Sequence, residues 1–250
     1  MPRFVAILFV VAAMNVHAEG DAPTYAILSL LGDRITVVVH GQQTGTSFAA
    51  ERRNVLKLTS PELDKAVLLS ADKALRACAP GAKPTLLLTQ SPDIYDSQAK
   101  VLDSDSSVEG LLPAVLPLVA PSQSRYLILV TKVRYDAQVV IRTGNVAFGK
   151  LEGLGFYMDT ERPMYNTQTG EEYRGLIAPY VHFRASLVDV ASQRVVKEQA
   201  IHVATLLPSA AGIGAWDSIP ASQKIAALSE LLNYEVDRAV RLLMAPAPRK

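Results

Sequence analysis

Apolar and polar positions alternate with period two through residues 180–203, YVHFRASLVDVASQRVVKEQAIHV, the pattern of a half-buried strand folded back on itself. Val181, Phe183, Ala185 and Leu187 fall on one face, and His182, Arg184 and Ser186 on the other. A turn at residues 191–193 with Val190 opposite Arg194 sets Val181 against Val203, Phe183 against Ile201 and His182 against His202. A slip of one residue would put Phe183 against His202, so burial of one face locks the register.

The remaining pattern is read from the amino terminus. Two β-rich runs, 25–31 and 34–40, flank Gly32-Asp33 and predict a hairpin with a type II′ turn. A polar loop follows, with a short strand at 54–58. Ser60-Pro61 opens a helix whose inner stripe is Leu63, Ala66, Val67, Ser70, Ala74 and Cys78, and Pro80-Gly81 ends it. The run Leu86-Leu87-Leu88 predicts a strand covered on both faces, and 91–104 reads as irregular. Ser106 followed by Glu109 has capping-box spacing and starts a helix toward Val119, bent by Pro113 and Pro117.

Residues 125–133 and 135–141 are β-rich, either one bent strand or a hairpin. Residues 144–175 interleave six glycines with Phe148, Phe156, Tyr157, Tyr165 and Tyr173 and read as a projecting β-extension. Pro220 starts a last helix with Ile225, Leu228, Leu232, Val236, Ala239 and Leu243 on its inner side. The sum is an α/β (α+β) domain over 19–244: a mixed, largely antiparallel sheet with packed helices and the extension at 144–175.

The ends change the picture of where the domain works. Residues 1–18 carry Arg3, an apolar stretch over 4–13 and small residues at Val16 and Ala18, the three regions of a secretory signal peptide cleaved after Ala18. The expected location is the periplasm, and no later segment approaches the roughly 20 apolar residues of a membrane helix. The tail 245–250, APAPRK, is expected to be disordered. Loss of Arg3 leaves 24 Lys plus Arg against 24 Asp plus Glu, and a neutral chain has no field that favours nucleic acid. Cys78 is the single cysteine, so no intrachain disulfide forms, and it lies far from the cleavage point where a lipid anchor would attach.

Candidate chemistry is sparse. His182 and His202 face each other across the strand pair at a spacing that could hold zinc or copper, with Glu198 as the one further ligand on that face; the alternative is a pair of polar outer-face histidines. Asp103 and Asp105 have the D-x-D spacing of phosphoryl-transfer nucleophiles, or else belong to a helix cap. A calcium loop starting at Asp103 fails because its required glycine would fall on Val108 and its last glutamate on Ala114. The chain has no G-x-S-x-G, and neither Gly153-Leu154-Gly155 nor Gly212-Ile213-Gly214 has the third glycine of a nucleotide loop. No cofactor is implied. The aromatic residues of 144–175 either form a binding surface or fold back onto their own sheet.

Three segments, RYLILVTKV, VHFRASLVDVASQRVVKEQ and ALSELLNYEVDRAVRLL, resemble parts of the curli-secretion and penicillin-binding-protein-activator lipoprotein group. Asp189 matches that group's hairpin aspartate, while Ser192-Gln193 replaces its Thr-Gly turn. The order of elements over 25–244 matches too; the lipid-anchor cysteine does not, and 144–175 is longer than the group's hairpin connection. The resemblance implies a non-enzymatic accessory role in the bacterial envelope through contacts with envelope proteins. A periplasmic hydrolase, or a metal- or small-ligand-binding protein, is the alternative.

Overall fold

A computed structural model describes residues 23–41, 51–104, 106–142, 144–165, 170, 172–207 and 215–246. The expected signal peptide, Asp105 and residues 247–250 of the expected tail lie outside them. In chain order the elements are β1 (Tyr25–Ser29), β2 (Arg34–His40), β3 (Glu51–Lys57), α1 (Glu62–Cys78), β4 (Pro84–Leu87) and α2 (Pro92–Asp103). A 3₁₀ turn (Val108–Leu111) leads into α3 (Leu112–Val119) and then β5 (Tyr126–Lys132), β6 (Arg134–Asp136), β7 (Val140–Ile141) and β8 (Gly144–Asn145). The chain closes with β9 (Lys150–Tyr165), β10 (Glu172–Asp189), β11 (Arg194–Ala204), the short α4 (Ala215–Ser218) and α5 (Ala221–Met244). This is an α/β fold with a mixed, curled sheet.

The long strand β10 organises that sheet. Residues 172–182 pair antiparallel with β9 and 183–189 with β5, so β9 and β5 lie end to end along one side, while β11 occupies the other. Beyond β5 comes β1, parallel to it, and then β4; beyond β9 comes β2, parallel to it, and then β3. The β10–β11 register is the one the alternation requires: Val181 faces Val203, His182 faces His202 and Phe183 faces Ile201. A bulge at Leu187/Val188 shifts the turn by one, so Asp189 rather than Val190 opposes Arg194. The Asp189 carboxylate accepts from the Ser192 N–H at 2.8 Å and its hydroxyl at 3.0 Å, and Gln193 takes a positive φ of 55° to close the turn.

Both faces of the sheet are covered. On one, α1 and α5 pack over Ile27, Ile128, Val130, Phe156, Val181, Phe183 and Ile201. The inward side of α5 buries Leu228, Leu232, Val236, Ala239 and Leu243 of the expected stripe, with Ile225 partly buried against the same core, and adds Glu235 and Val240. On the other face two separate covers meet: α2, the 3₁₀ turn and α3 lie over Ala26, Leu28, Leu127, Leu129 and Val188. An arm carrying Ala137, Val139, Val146 and Ala147 lies over Val38, Leu151, Tyr157, Ala178 and Tyr180.

Several local expectations give way to this packing. β1 and β2 form no hairpin; both run antiparallel to β10, and the chain continues in the same direction through a jog at residues 30–33. Asp64, 1% exposed on the inner side of α1, accounts for the jog. Its carboxylate accepts from the N–H groups of Leu31 at 3.0 Å and Gly32 at 3.1 Å, from Ser29 Oγ at 2.5 Å and from the Tyr95 hydroxyl at 2.9 Å. A Cβ on residue 32 would sit 2.7 Å from Asp64 Oδ2, so the glycine serves close approach rather than a hairpin turn.

Residues 92–103 are helical, not irregular, with Ser91 before Pro92 repeating the start signal of α1. Among the described residues β4 pairs with β1 alone and is an edge strand, with Leu86 and Leu88 39% and 46% exposed, not a strand covered on both faces. Cys78 is exposed at the end of α1 rather than in its stripe. The 144–175 segment is only partly an extension. Its base, Leu151 to Met158, is core of the sheet, while among the described residues the far ends of β9 and β10, Pro163–Tyr165 against Glu172–Arg174, pair with each other alone.

Candidate functional site

Between the two covers of the second face the sheet is roofed by neither, and a cleft of about 380 Å³ opens there. Its floor takes Arg184 from the polar stripe of the alternation. Thr131 projects from β5 and Arg184 from β10, on the same face as Leu129 and Val188. One wall is the carboxyl end of α2 with Asp103; the other is β6 and the start of β9, with Arg134, Tyr135 and Lys150. Gln98 ties that first wall to the sheet: its amide donates to the Leu30 carbonyl at 2.9 Å and its oxygen accepts from the Lys132 N–H at 3.0 Å.

The charges are arranged in pairs. Arg134 Nη2 donates to Asp103 at 3.0 Å and to Glu152 at 2.6 Å, and its Nε donates to Glu152 at 3.0 Å. Arg184 lies 3.8 Å from Glu198, which accepts from Ser186 Oγ at 3.1 Å. Lys132, whose side chain is 2% exposed, pairs with Asp33; burial lowers its pKa, and the Asp33 charge and hydrogen bond oppose that.

His182 lies two residues from Arg184 on the same face of β10, and it is buried, not an outer-face residue. Its Nδ1 is 3.1 Å from the Leu151 carbonyl, which assigns the proton to that nitrogen, and Nε2 has no hydrogen-bond partner. Around it stand the rings of Tyr180 at 5.4 Å, His202 at 6.3 Å and Tyr135 at 6.5 Å, and the exposed His202 stacks on Tyr135 at 4.7 Å. Burial pushes the imidazole down to about 4; the Leu151 contact opposes the shift and the neighbouring His202 adds to it.

The sequence-derived candidates therefore separate. His182 and His202 are neighbours, but Glu198 opposes Ser186, four residues along the strand from His202, where it accepts from Ser186 and lies 3.8 Å from Arg184. Among the described residues no group of three His, Cys, Asp or Glu side chains could hold a metal. Asp103 is a carboxylate held by Arg134 at a 71% exposed side chain, on the rim of the cleft at the carboxyl end of α2. Of the aromatic candidates, Phe156 and Tyr157 are 0% exposed and belong to the core on opposite faces. Phe148 and Tyr165 are 56% and 61% exposed, and Tyr173 is intermediate. Phe148 stacks on His40 at 5.3 Å. Gln98, Arg134 and Lys132 were not candidates in the sequence, because none belongs to a local motif.

Fold and cleft together define an α/β domain with a polar, cation-lined cleft on one sheet face. No family model and no curated protein matches the chain. Among solved structures, it is similar to the PelC dodecamer from Paraburkholderia phytofirmans at 11% identity, with 90% of this chain and 89% of that one covered and a TM-score of 0.34. A Xanthomonas campestris protein of the DUF330 family matches at 13% identity over 90% and 84%, with a TM-score of 0.34. A neuraminyllactose-binding hemagglutinin homolog from Helicobacter pylori matches at 7% over 86% and 82%, with a TM-score of 0.38. At these identities and scores, none of them carries a function to this chain.

Proposed function

We propose that the chain is an exported, non-catalytic accessory domain of the bacterial envelope that acts by contacting another envelope protein. The observation that carries this reading is the exposure of Val140, Phe148 and Tyr165, at 68%, 56% and 61%, along the arm and the far end of the β9–β10 hairpin. Large, rigid side chains left exposed on an arm and at a hairpin tip supply contact area for a partner protein. The signal-peptide pattern of residues 1–18 and the resemblance to the envelope lipoprotein group support the compartment and the class. Phe156 and Tyr157, being core, take no part in the contact.

A photo-crosslinking residue at Tyr165 or Phe148 in the exported protein should capture a specific envelope protein. The same residue at Leu69, 63% exposed on α1, should not. Phe148→Ser combined with Tyr165→Ser should abolish recovery of that partner while thermal unfolding stays cooperative. Equal capture from Leu69, or undiminished recovery by the double variant, refutes the surface as the interface. Amino-terminal sequencing of the periplasmic fraction should start at Glu19, and a cytoplasmic, uncleaved chain refutes the compartment.

A further inference from the structure

We infer that the cleft between α2 and β6 binds a small organic anion carrying carboxylate or phosphate oxygens, and that Asp103 occupies the place of that anion on Arg134. The inference does not rest on the protein-contact reading, which concerns another surface.

Four cationic residues line the cleft, Lys132, Arg134, Lys150 and Arg184, and three of them have carboxylate partners: Asp33 for Lys132, Glu152 and Asp103 for Arg134, and Glu198 for Arg184. The Asp33 pair takes up Lys132, which leaves the other three cations. Arg184 is 3.8 Å from Glu198, beyond direct hydrogen-bond distance, so its donors are not consumed by that contact. Arg134 reaches Glu152 and Asp103 through Nε and Nη2, and Nη1 donates to neither. Lys150 stands exposed on the rim, and Thr131, Ser106 and Tyr135 also line the cleft, the Ser106 hydroxyl sharing a hydrogen bond with Ser104 at 2.7 Å. Planar guanidinium groups with open donors recognise carboxylate and phosphate. The volume of about 380 Å³ falls within the range of roughly 300–1,000 Å³ typical of small-molecule sites.

Asp103 is the weak link in the lining. It is the last residue of α2, where the negative end of the helix dipole disfavours a carboxylate. Its side chain is 71% exposed and Arg134 is the donor that holds it. An exposed pair of this kind contributes little, so an incoming anion displaces it at small cost and takes over Arg134, with Arg184 and Lys150 in reach.

The test uses the full mature chain, titrated separately with citrate and with inorganic phosphate at constant ionic strength, and followed by calorimetry and thermal shift. Saturable binding is expected for one or both, and the arm that responds distinguishes carboxylate from phosphate recognition. Asp103→Asn should tighten binding about two- to fivefold, the gain from removing an exposed competing pair. Arg134→Gln should weaken it at least about tenfold, the range of a hydrogen bond to a charged group. If Arg134→Gln unfolds the protein by stranding Glu152, Lys150→Gln on the rim decides, with weakened binding expected. Responses matched by added chloride, affinity unaltered or weakened in Asp103→Asn, or binding undiminished in both cation variants would each overturn the site. The crosslinking result at Tyr165 is unaffected by any of these outcomes.

Discussion

Acidification should destabilise the fold through His182 in particular. The neutral ring donates from Nδ1 to Leu151 at 3.1 Å and leaves Nε2 without a partner among aromatic rings. Protonation places a charge and a new N–H where the described residues offer no acceptor, and burial lowers the pKa from 6.5 to about 4 for that reason. The unfolded chain takes up the proton near its ordinary value while the folded chain does not until about 4. The stability contributed is therefore full above about pH 6.5 and is lost as pH falls toward 4. A shift of that size at about 1.4 kcal/mol per unit is worth on the order of 3 kcal/mol. Since His182 is 0% exposed, solvent screening discounts it little. Urea unfolding at a series of pH values, for the parent chain and for His182→Phe, isolates the effect from carboxylates that titrate in both. The variant starts about 1 kcal/mol lower for its lost hydrogen bond to Leu151, but its stability should fall less steeply across the window, by on the order of 3 kcal/mol in total. Parallel curves would refute the buried, neutral imidazole.

Other substitutions probe the packing. Asp64→Ala removes the acceptor of Leu31, Gly32, Ser29 and Tyr95; stranding two buried N–H groups and a hydroxyl should cost about 3–5 kcal/mol in urea unfolding. Asp64→Asn keeps one oxygen for three of the donors and should cost under about 2 kcal/mol, so equal losses would sink the anchoring role. Gly155→Ala would place a Cβ 1.9 Å from the Thr36 carbonyl and 2.7 Å from the Tyr180 hydroxyl; a loss of at least about 3 kcal/mol, or no folded protein, is expected where β2 closes on β9. Asp33→Ala strands the buried Lys132 ammonium and should cost about 3–5 kcal/mol. Lys132→Met leaves Asp33 with Arg34 at 3.6 Å and should be within about 1 kcal/mol of neutral by thermal unfolding; the opposite ranking would refute the pairing.

Much of the candidate site was present in the sequence as residues but not as neighbours. The polar stripe His182, Arg184 and Ser186 could be read from alternation. That Arg184 faces a cleft while His182 and Ser186 are buried could not, because the covers come from distant segments. Arg134 reaches Asp103 across 31 positions and Gln98 reaches Leu30 across 68. Two local signals would have carried the reading further. Ser91-Pro92 repeats the helix start of Ser60-Pro61, and Asp64 breaks the apolar stripe Leu63, Val67, Leu68 and Ala71 of α1, a buried charge that has to find partners.

The sequence by itself determined whatever depends on one element's own periodicity: the β10–β11 register, the inner stripe of α5 and the start of the helix after Ser60. A side-chain repeat of two or 3.6 residues assigns each position to a face, and one slip exchanges the faces. Tertiary structure alone decided what covers each face and which strands become neighbours. Gly32-Asp33 carries a hairpin's local chemistry, yet the chain runs straight on, because the Asp64 carboxylate 32 positions away takes the N–H of Gly32. Phe156 and Tyr157 sit in a segment rich in glycine and aromatics, yet they are core because β2 closes on β9 and the helices and the arm cover its two faces. Burial depends on what packs above a residue, and for β10 and the cleft those segments lie far away in the chain.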